Sequence, residues 1–290
     1  MATGDFHMHS TSSDGVRSPT WVMETAAANG LRVVALTDHD TTEGLAEAHA
    51  AAVAAGVRLI PGIELSVDLD GVDAHLLGYG FDIEHGPLQE YLSEQRDGRV
   101  GRMVRMVRVL AEHGVTVKVE RVLEIAGEAS VGRPHVARAL VEAGYVESVA
   151  EAFNEWLGDG RPAHITRLRL TPAEAIALLH EAGGAVFVAH PIFLGEDYKG
   201  GVATLAGMGL DGMETYYKHY DAETILAHET LSEELGLGRS GGSDYHGLGN
   251  PNDREIGDIP FPDEAVAAFM AFLNSRGVRN LRQTGVGWWT

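Results

Sequence analysis

Residues 31–64 read LRVVALTDHDTTEGLAEAHAAAVAAGVRLIPGIE, which has the pattern of a strand, a helix and a second strand. Leu31–Leu36 is a short apolar run that is typical of a buried strand. Thr41 or Thr42 is expected to cap an alanine-rich helix that ends at a glycine, and Val57–Ile63 is the next strand. Two strands joined through a helix predict parallel pairing with a right-handed crossover, so this segment indicates an α/β fold.

The same alternation continues towards both ends of the chain but is interrupted in the middle. A capping box at Thr171–Glu174 begins a helix that leads into a strand at Ala185–Ala189. Between these regions the pattern is helical. We therefore predict a β/α barrel domain formed by residues 1–85 and 169–290, with a helical insertion at residues 86–168 that lies over one mouth of the barrel as a lid.

The composition is that of a soluble globular protein. The 290 residues are 44% hydrophobic, which is enough apolar mass for a full core. The sequence contains no cysteine, which excludes disulfides, thiolate metal ligands and thiol catalysis. No apolar run approaches the ~20 residues that span a bilayer, and removal of a signal peptide of ~15–30 residues would discard His7 and His9. We therefore expect a cytoplasmic protein without membrane partners.

The net charge is −20 at pH 7. Binding to long nucleic acid needs a basic face that releases counterions, so this charge argues against such a partner. A small anionic substrate is compatible with it, because bound divalent cations invert the potential inside an otherwise acidic cleft.

Nine side chains that can bind metal ions follow strand-like runs, or lie within them, across the whole chain. In a β/α barrel the loops after the strands share one face, so residues far apart in sequence converge there. The candidate metal ligands are His7, His9, Asp14, His39, Glu64, His75, His190, Asp244 and His246.

Taken singly, several of these residues have an ordinary structural explanation. Among 14 histidines in 290 residues, about 0.7 His-x-His pairs are expected by chance, so His7 and His9 alone are weak evidence. Asp14 is equally typical of a turn, and a histidine such as His75 is more often a core residue than a ligand. Asp38 and Asp40 have the alternative role of capping the next helix. The joint pattern nevertheless favours a metal site over nine coincidences.

The donor atoms narrow the choice of metal. Nitrogen and oxygen donors without sulfur suit Mn²⁺, Fe²⁺ or Zn²⁺, and suit Mg²⁺ less well because several of them are imidazoles. Nine ligands exceed what two ions normally use, so we expect two to three divalent metal ions. Ions a few ångströms apart can hold a bridging hydroxide at neutral pH and neutralise the charge that builds on a phosphoryl group.

The chain resembles the PHP family of metal-dependent phosphoesterases from about residue 4 to residue 250. The motifs that carry the resemblance, in the order of that family, are residues 5–10 (DFHMHS), 13–15 (SDG), 36–40 (LTDHD), 61–64 (PGIE), His75, 189–191 (AHP) and 242–246 (GSDYH). The resemblance implies a distorted (β/α)7 barrel that holds three metals. The implied ligands are His7, His9, Glu64 and Asp244 for the first metal, Glu64, His75 and His190 for the second, and Asp14, His39 and His246 for the third.

Within that family, the helical insertion and residues 132–138 (GRPHVAR) resemble the branch that removes the 3′-phosphate from nucleoside 3′,5′-bisphosphates. Some members of that branch also trim short RNA from its 5′ end. The resemblance implies that Arg133 and His135 bind the substrate phosphate. Pro134 stands where the family often has threonine, so the local contacts are expected to differ.

Related amidohydrolases also begin with His-x-His but often use a carboxylated lysine as the bridging ligand. None of the three lysines, Lys118, Lys199 and Lys218, follows a suitable central strand in the predicted pattern. Glu64 occupies a bridging position instead. The sequence therefore favours the PHP family over its amidohydrolase relatives.

The leading hypothesis is a phosphomonoesterase that acts on a nucleotide or sugar phosphate through a metal-bridging hydroxide, with Asp244, His190 and His246 as catalytic residues. An L-histidinol-phosphate phosphatase and a 5′-3′ exoribonuclease on short RNA are the alternatives within the class. A non-catalytic metal-binding module, like the degenerate PHP domains of some polymerases, belongs to another class. The intact ligand set argues against it.

Overall fold

The computed structural model describes residues 3–127, 131–165, 169–249 and 254–278, with only the backbone at residues 96 and 97. The parts of the predicted domains that fall in the gaps lie outside the described residues. The chain divides into two compact units, of which one comprises Met1–Gln89 with Arg169–Thr290 and the other Glu90–Leu168. Over the ranges that are described, we find no helix with the length and apolar character needed to cross a membrane.

The first unit is built on a seven-stranded sheet in which the strands are neighbours in chain order. The backbone N–H of Phe6 donates to Gly241 O over 3.1 Å, and that of Asp244 donates to His7 O over 2.7 Å. These bonds join the first strand to the last, so the sheet closes into a barrel, as predicted. The strands are β1 (Gly4–Asp5), β2 (Val33–Leu36), β3 (Arg58–Leu69), β4 (Val72–Tyr79), β5 (Ala185–Val188), β6 (Gly212–Tyr217) and β7 (Gly238–Gly242).

The fourth strand runs against its neighbours, which differs from the parallel pairing predicted for the first 80 residues. β4 is antiparallel to both β3 and β5, and His75 pairs with Ser66. The reversal occurs in a two-residue turn at Asp70 and Gly71, whose φ angles are 50° and 88°. Asp-Gly is a typical hairpin turn because both positions need the left-handed region. The early half of β4, which carries His75, therefore lies at the end of the barrel where β3 and β5 finish.

Helices pack against the sheet in the first unit and form the second unit, and two helices of the first unit begin at recognisable side-chain caps. Ser18 Oγ accepts from Trp21 N over 3.2 Å, and Thr171 and Glu174 form the predicted reciprocal capping box. The helices are α1 (Pro19–Ala28), α2 (Leu45–Ala55), α3 (Gly86–Glu112), α4 (Val119–Ala126), α5 (Arg133–Glu142), α6 (Val149–Ala152), α7 (Pro172–Glu181), α8 (Tyr198–Gly207), α9 (Ala222–Leu235) and α10 (Asp263–Ser275). A π-helical turn at Phe153–Leu157 continues α6, and a 3-10 turn spans Pro191–Leu194.

The predicted start of α2 is wrong. The helix begins after Gly44 without a side-chain cap, and Thr41 Oγ1 instead accepts from Glu43 N over 3.2 Å. A Cβ on Gly44 would lie 2.6 Å from Ser12 Oγ and 3.0 Å from Asp38 Oδ2. The chain must therefore pass close to the residue 10–14 loop before it turns into the helix, and only glycine leaves room for that approach.

Aromatic side chains fill the core of the barrel. The ring of Phe269, on α10, lies 4.5 Å from that of Phe6, 5.2 Å from that of Tyr79 and 5.4 Å from that of Phe187. All four side chains are buried, and the edge-to-face contacts of Phe269 with Tyr79 and Phe187 add to the stabilisation from burial. The hydroxyl of Tyr79 donates to Phe6 O over 3.0 Å. This rigid core supports the strand ends that carry the metal-ligand candidates.

The second unit is helical and has its own apolar core. Met103, Met106 and Leu110 are buried on α3. They pack in one cluster with side chains of α4, α5 and α6. The interpretation of residues 86–168 as a lid stays a prediction.

Candidate metal centre

All nine predicted ligands lie in the first unit, at the end of the barrel where most strands finish. Among the described residues, three sets offer ligand atoms within 4.8 Å of one another: His7, His9, Glu64 and Asp244; His9, Asp14, His39 and His246; and His39, Glu64 and His75. His190 lies outside these sets, but its Nε2 is 3.3 Å from Glu64 Oε1. The first set matches the first implied metal. The others differ by placing His39 where His190 was expected and by adding His9 beside Asp14.

Glu64 lies at the middle of the cluster. Its Oε2 is 3.0 Å from His7 Nε2 and 3.1 Å from His9 Nε2, whereas its Oε1 is 2.8 Å from His75 Nδ1. Burial raises the pKa of this carboxyl, but the surrounding imidazoles outweigh that effect and hold it well below its usual value. Glu64 therefore stays ionised between two groups of histidines and directs one oxygen to each.

Asp14 faces the cluster from the loop after β1. Its Oδ1 is 3.3 Å from His246 Nε2, and its Oδ2 is 3.8 Å from His39 Nε2. The His9 and His246 rings stack with their centroids 4.1 Å apart. Burial raises the Asp14 pKa, but His39 and His246 outweigh it and lower that pKa below its ordinary value. The arrangement leaves a carboxylate and three imidazoles around one point.

Several donor atoms in the cluster are buried without hydrogen bonds to hold them. Within the described ranges, both ring nitrogens of His9, Nδ1 of His75 and Oε1 of Glu64 lack a partner in hydrogen-bonding geometry. Burial lowers the pKa of His9, yet the carboxylates of Asp244 and Glu64 raise it to about 10. Carboxylates this crowded require positive charge between them. Divalent cations can supply that charge in place of protons, so the donors fit a metal cluster.

Two aspartates beside His39 accept hydrogen bonds from backbone N–H groups and serine hydroxyls near the cluster. Asp38 accepts from Ser10 N and Ser10 Oγ, each over 2.7 Å, and from Ser13 Oγ over 2.6 Å. Asp40 accepts from Ser66 N over 3.0 Å and from Ser66 Oγ over 3.2 Å. The alternative in which they cap the next helix is therefore wrong. They fix the loop after β1 and the far half of β3 on either side of the site.

Sequence reasoning missed three polar side chains at β6. Glu214 Oε1 lies 3.0 Å from His7 Nδ1. The Tyr217 hydroxyl donates to Asp244 Oδ2 over 2.8 Å, and Lys218 Nζ donates to the same oxygen over 3.1 Å. They carried no signal comparable to that of the candidate ligands, because Glu214 and Tyr217 both reach the cluster only through an irregularity in β6.

The prediction that no lysine follows a central strand is wrong for Lys218. β6 ends at Tyr217, and Lys218 is the next residue. Its side chain is only 8% exposed, and Nζ also donates to Asp244 O over 2.9 Å. The ammonium group is thus occupied by Asp244, while Glu64 keeps the central position among the histidines.

The two predicted phosphate contacts lie in the second unit, at the start of α5. Arg133 Nη1 is 3.3 Å from Asp159 Oδ1, and its guanidinium lies over the ring of Phe153. His135 is buried, and its Nδ1 accepts from Gly132 N over 2.9 Å, which closes the first helical turn. Substrate binding by Arg133 and His135 stays a prediction.

Comparison with known proteins identifies the family. The model of the PHP domain matches residues 5–159. A 5′-3′ exoribonuclease of Haemophilus influenzae is 35% identical to the chain, and the alignment covers 83% of the chain and 89% of that protein. A 3′,5′-nucleoside bisphosphate phosphatase of Chromobacterium violaceum is 32% identical, with 90% and 93% covered.

The fold agrees with these alignments. The solved structure of a Bifidobacterium adolescentis protein assigned as a metal-dependent phosphoesterase superposes with a TM-score of 0.81 at 29% identity, covering 94% of this chain and 96% of that one. The expected distorted (β/α)7 barrel is therefore confirmed. The chain belongs to the PHP domain family and is a metal-dependent phosphoesterase.

Proposed function

We propose that this chain removes the 3′-phosphate from nucleoside 3′,5′-bisphosphates. The observation that carries the proposal is the placement of Glu64, whose two oxygens face separate groups of histidines at 2.8–3.3 Å. A buried carboxylate in this position suits adjacent divalent ions, which phosphate ester hydrolysis uses. The name and near-complete alignment of the Chromobacterium violaceum relative support the choice of substrate.

The cluster is proposed to hold two or three divalent ions. Bound ions supply a nucleophile from water at neutral pH and stabilise the negative charge that develops on the phosphoryl group. The donors are nitrogen and oxygen atoms, and six of the nine ligands are histidines. This donor set favours Mn²⁺, Fe²⁺ or Zn²⁺ over Mg²⁺. The proposed ligands are His7, His9, Asp14, His39, Glu64, His75, His190, Asp244 and His246.

The leaving oxygen needs a proton, and we assign its donor to His190 or His246, whichever ring is left without an ion, because a ring nitrogen that binds a metal carries no proton. Both rings are partly exposed at the cluster, with side chains 12% and 17% accessible. His246 Nδ1 lies 3.0 Å from Asp244 O, an acceptor, which directs the other nitrogen to the cluster. Protonation of the leaving oxygen increases the rate of hydrolysis least when the leaving group is acidic, as p-nitrophenol is. Replacing the donor histidine with glutamine should therefore lower the hydrolysis rate of the nucleoside bisphosphate at least tenfold more than the hydrolysis rate of p-nitrophenyl phosphate. Equal decreases for the two substrates would contradict this assignment.

An exposed aromatic ring beside the cluster supports a nucleotide rather than a smaller substrate. Phe193 is 61% exposed, and its ring centroid lies 4.9 Å from that of His190. The Tyr217 ring is 6.1 Å from that of Phe193. A nucleobase stacks on such a ring at about 1–3 kcal/mol. We propose that the base of the substrate lies against Phe193, with Arg133 and His135 of the proposed lid binding phosphate.

A comparison of three substrates with added Mn²⁺ tests the proposal. We expect kcat/KM for 3′-phosphoadenosine 5′-phosphate to exceed the values for L-histidinol phosphate and for release of nucleotides from short 5′-phosphorylated RNA. A higher value for either of the others would replace the proposed substrate. If the protein bound metal ions but hydrolysed none of the three substrates, the whole proposal would be contradicted and the non-catalytic module would be favoured.

Asp244→Asn tests whether the cluster performs the reaction. Asp244 Oδ1 is 3.2 Å from His9 Nε2 and 3.4 Å from His7 Nε2. An amide keeps the shape but removes the charge, so phosphate release should fall by at least 100-fold while the circular dichroism spectrum is retained. Full activity of this variant would remove the cluster from the mechanism.

Exoribonuclease activity on short RNA is the second candidate, because the Haemophilus influenzae relative carries that name at 35% identity. Both functions hydrolyse a P–O bond to a 3′-oxygen, but the phosphatase cleaves a terminal phosphate monoester and the exoribonuclease cleaves a phosphodiester between two nucleotides. RNA of two to five nucleotides with a 5′-phosphate separates them, since a 3′-phosphatase without exonuclease activity leaves such RNA intact.

A further inference from the structure

A buried carboxylate on β6 lies behind the cluster and contacts two of its proposed ligands. Glu214 has no exposed surface. Its Oε1 is 3.0 Å from His7 Nδ1, and its Oε2 accepts the backbone N–H of His190 over 2.7 Å. His7 follows β1 and His190 follows β5, so one side chain connects two loops that carry ligands from different parts of the barrel.

The contact with His7 determines which ring nitrogen is free for a metal. An ionised carboxylate only accepts, so the proton of a neutral His7 is placed on Nδ1. The lone pair then lies on Nε2, which is 3.0 Å from Glu64 Oε2 and 3.4 Å from Asp244 Oδ1. A carboxylate behind a ligand histidine fixes the ring and increases its basicity.

The contact with His190 holds a backbone in an uncommon conformation. His190 has φ 28°, outside the regions that L-residues usually adopt. Such a backbone conformation persists only when the contacts around it stabilise it enough to offset its strain. The hydrogen bond from His190 N to Glu214 is one of them, and it keeps Nε2 of that ring directed towards Glu64.

A bulge in β6 explains how Glu214 comes to face the cluster together with Tyr217. The pairing with β7 shifts between Glu214 and Tyr216, which leaves Thr215 as the extra residue. The side chains of Glu214 and Tyr217, three residues apart, then both reach proposed ligands. Tyr216 points elsewhere and donates to Glu229 on α9 over 2.7 Å.

From these contacts we infer that Glu214 is a positioning residue, which orients His7 and the backbone of His190 for metal binding. The inference rests on the metal cluster of the proposed function, not on the identity of the substrate. Because both partners of Glu214 donate hydrogen, a glutamine can satisfy only one of them with its single carbonyl oxygen. Its amide N–H would oppose the other donor.

The test is the affinity of the metal-free protein for Mn²⁺, measured by calorimetric titration without substrate. Glu214→Gln should weaken binding by about 10–100-fold, and activity should return at high Mn²⁺. Glu229→Gln is the matched control, since Glu229 binds a tyrosine of the same strand away from the cluster, and it should bind Mn²⁺ as the unaltered protein does. Unchanged affinity in a folded Glu214→Gln variant overturns the inference, even if its thermal stability falls.

A measurement on the unaltered protein covers the case in which the glutamine variant does not fold. In the Zn²⁺-loaded protein with ¹⁵N-labelled histidine, the inference requires a proton on His7 Nδ1 and none on Nε2. The opposite tautomer would overturn it. If the unaltered protein bound no divalent ion at all, the proposed function would fail instead, so the two failures are distinguishable.

Discussion

The hydroxyl of Tyr217 donates a 2.8 Å hydrogen bond to Oδ2 of Asp244. Oδ1 of the same carboxylate lies 3.2 Å from His9 Nε2, so the two oxygens have different environments. Lys218 Nζ adds a second donor to Oδ2 at 3.1 Å. Asp244 has φ 47°, an uncommon conformation for a residue other than glycine. Tyr217 and Lys218 together direct one oxygen of Asp244 towards the histidines.

Tyr217→Phe should lower kcat about tenfold and change KM little, because it removes one orienting hydrogen bond but keeps the ring. Steady-state phosphate release at saturating Mn²⁺ measures the effect. Tyr216→Phe is the matched control, since that hydroxyl binds Glu229 instead of Asp244. Equal losses in the two variants would show that the Tyr217 hydroxyl has no specific role.

The candidate ligands could be predicted because their positions follow from the alternation of strands and helices. His7 and His9 flank one residue after a strand, and Glu64 follows an apolar run, so a barrel must bring them to one end. Glu214 and Tyr217 carried no comparable signal. They reach the cluster through a bulge in β6, and periodicity does not reveal an extra residue in a strand.

Apolar periodicity does not reveal the direction of the fourth strand, whereas the turn chemistry of Asp70-Gly71 indicates its reversal. Helix α8 was missed because its sequence at residues 198–207 contains three glycines and has no clear apolar face. It forms because Asp197 accepts from Gly200 N at its start, and because Val202 and Leu205 are buried against the barrel unit. Tertiary packing therefore outweighs the weak helix propensity of this segment.

Removal of divalent ions should abolish activity and lower the midpoint of thermal unfolding. Ions bind the folded cluster and not the dispersed ligands, so saturation at 100 times Kd stabilises the fold by about 2.7 kcal/mol. Exhaustive chelation followed by calorimetry and an activity assay measures both effects. Mn²⁺ should restore activity more fully than Mg²⁺. Full activity with less than about one-tenth of an ion per chain would contradict the metal requirement.

Phe193→Ala should raise KM for the nucleoside bisphosphate about tenfold and leave the base-free ribose bisphosphate nearly unchanged. Loss of base stacking accounts for about 1–3 kcal/mol, and 1.4 kcal/mol corresponds to tenfold. Steady-state kinetics on both substrates measures the difference. Phe193→Tyr keeps an aromatic face and is the matched control. If Phe193→Ala changed KM equally for the two substrates, the ring would support the metal cluster and would not bind the base.

His228, on α9 and remote in sequence from the cluster, should make the fold sensitive to mild acid. It is buried between the rings of Tyr198 and Tyr220, and among the described residues neither of its nitrogens has a hydrogen-bond partner. Burial, with a smaller effect of Lys199, lowers its pKa from 6.5 to about 4. The unfolded chain therefore binds more protons between these values, and stability falls as pH decreases from about 6.5 to about 4.

The contribution of His228 to this loss is measured by comparing urea unfolding at pH 7 and pH 5 in the unaltered protein and in His228→Phe. This variant keeps an aromatic ring at position 228 but has no group there to protonate. Its decrease in unfolding free energy between pH 7 and pH 5 should therefore be smaller than that of the unaltered protein by about 2 kcal/mol. Substitution of the exposed His113 provides the control and should leave the decrease unchanged. A His228→Phe variant that loses as much stability in acid as the unaltered protein would place the sensitivity elsewhere.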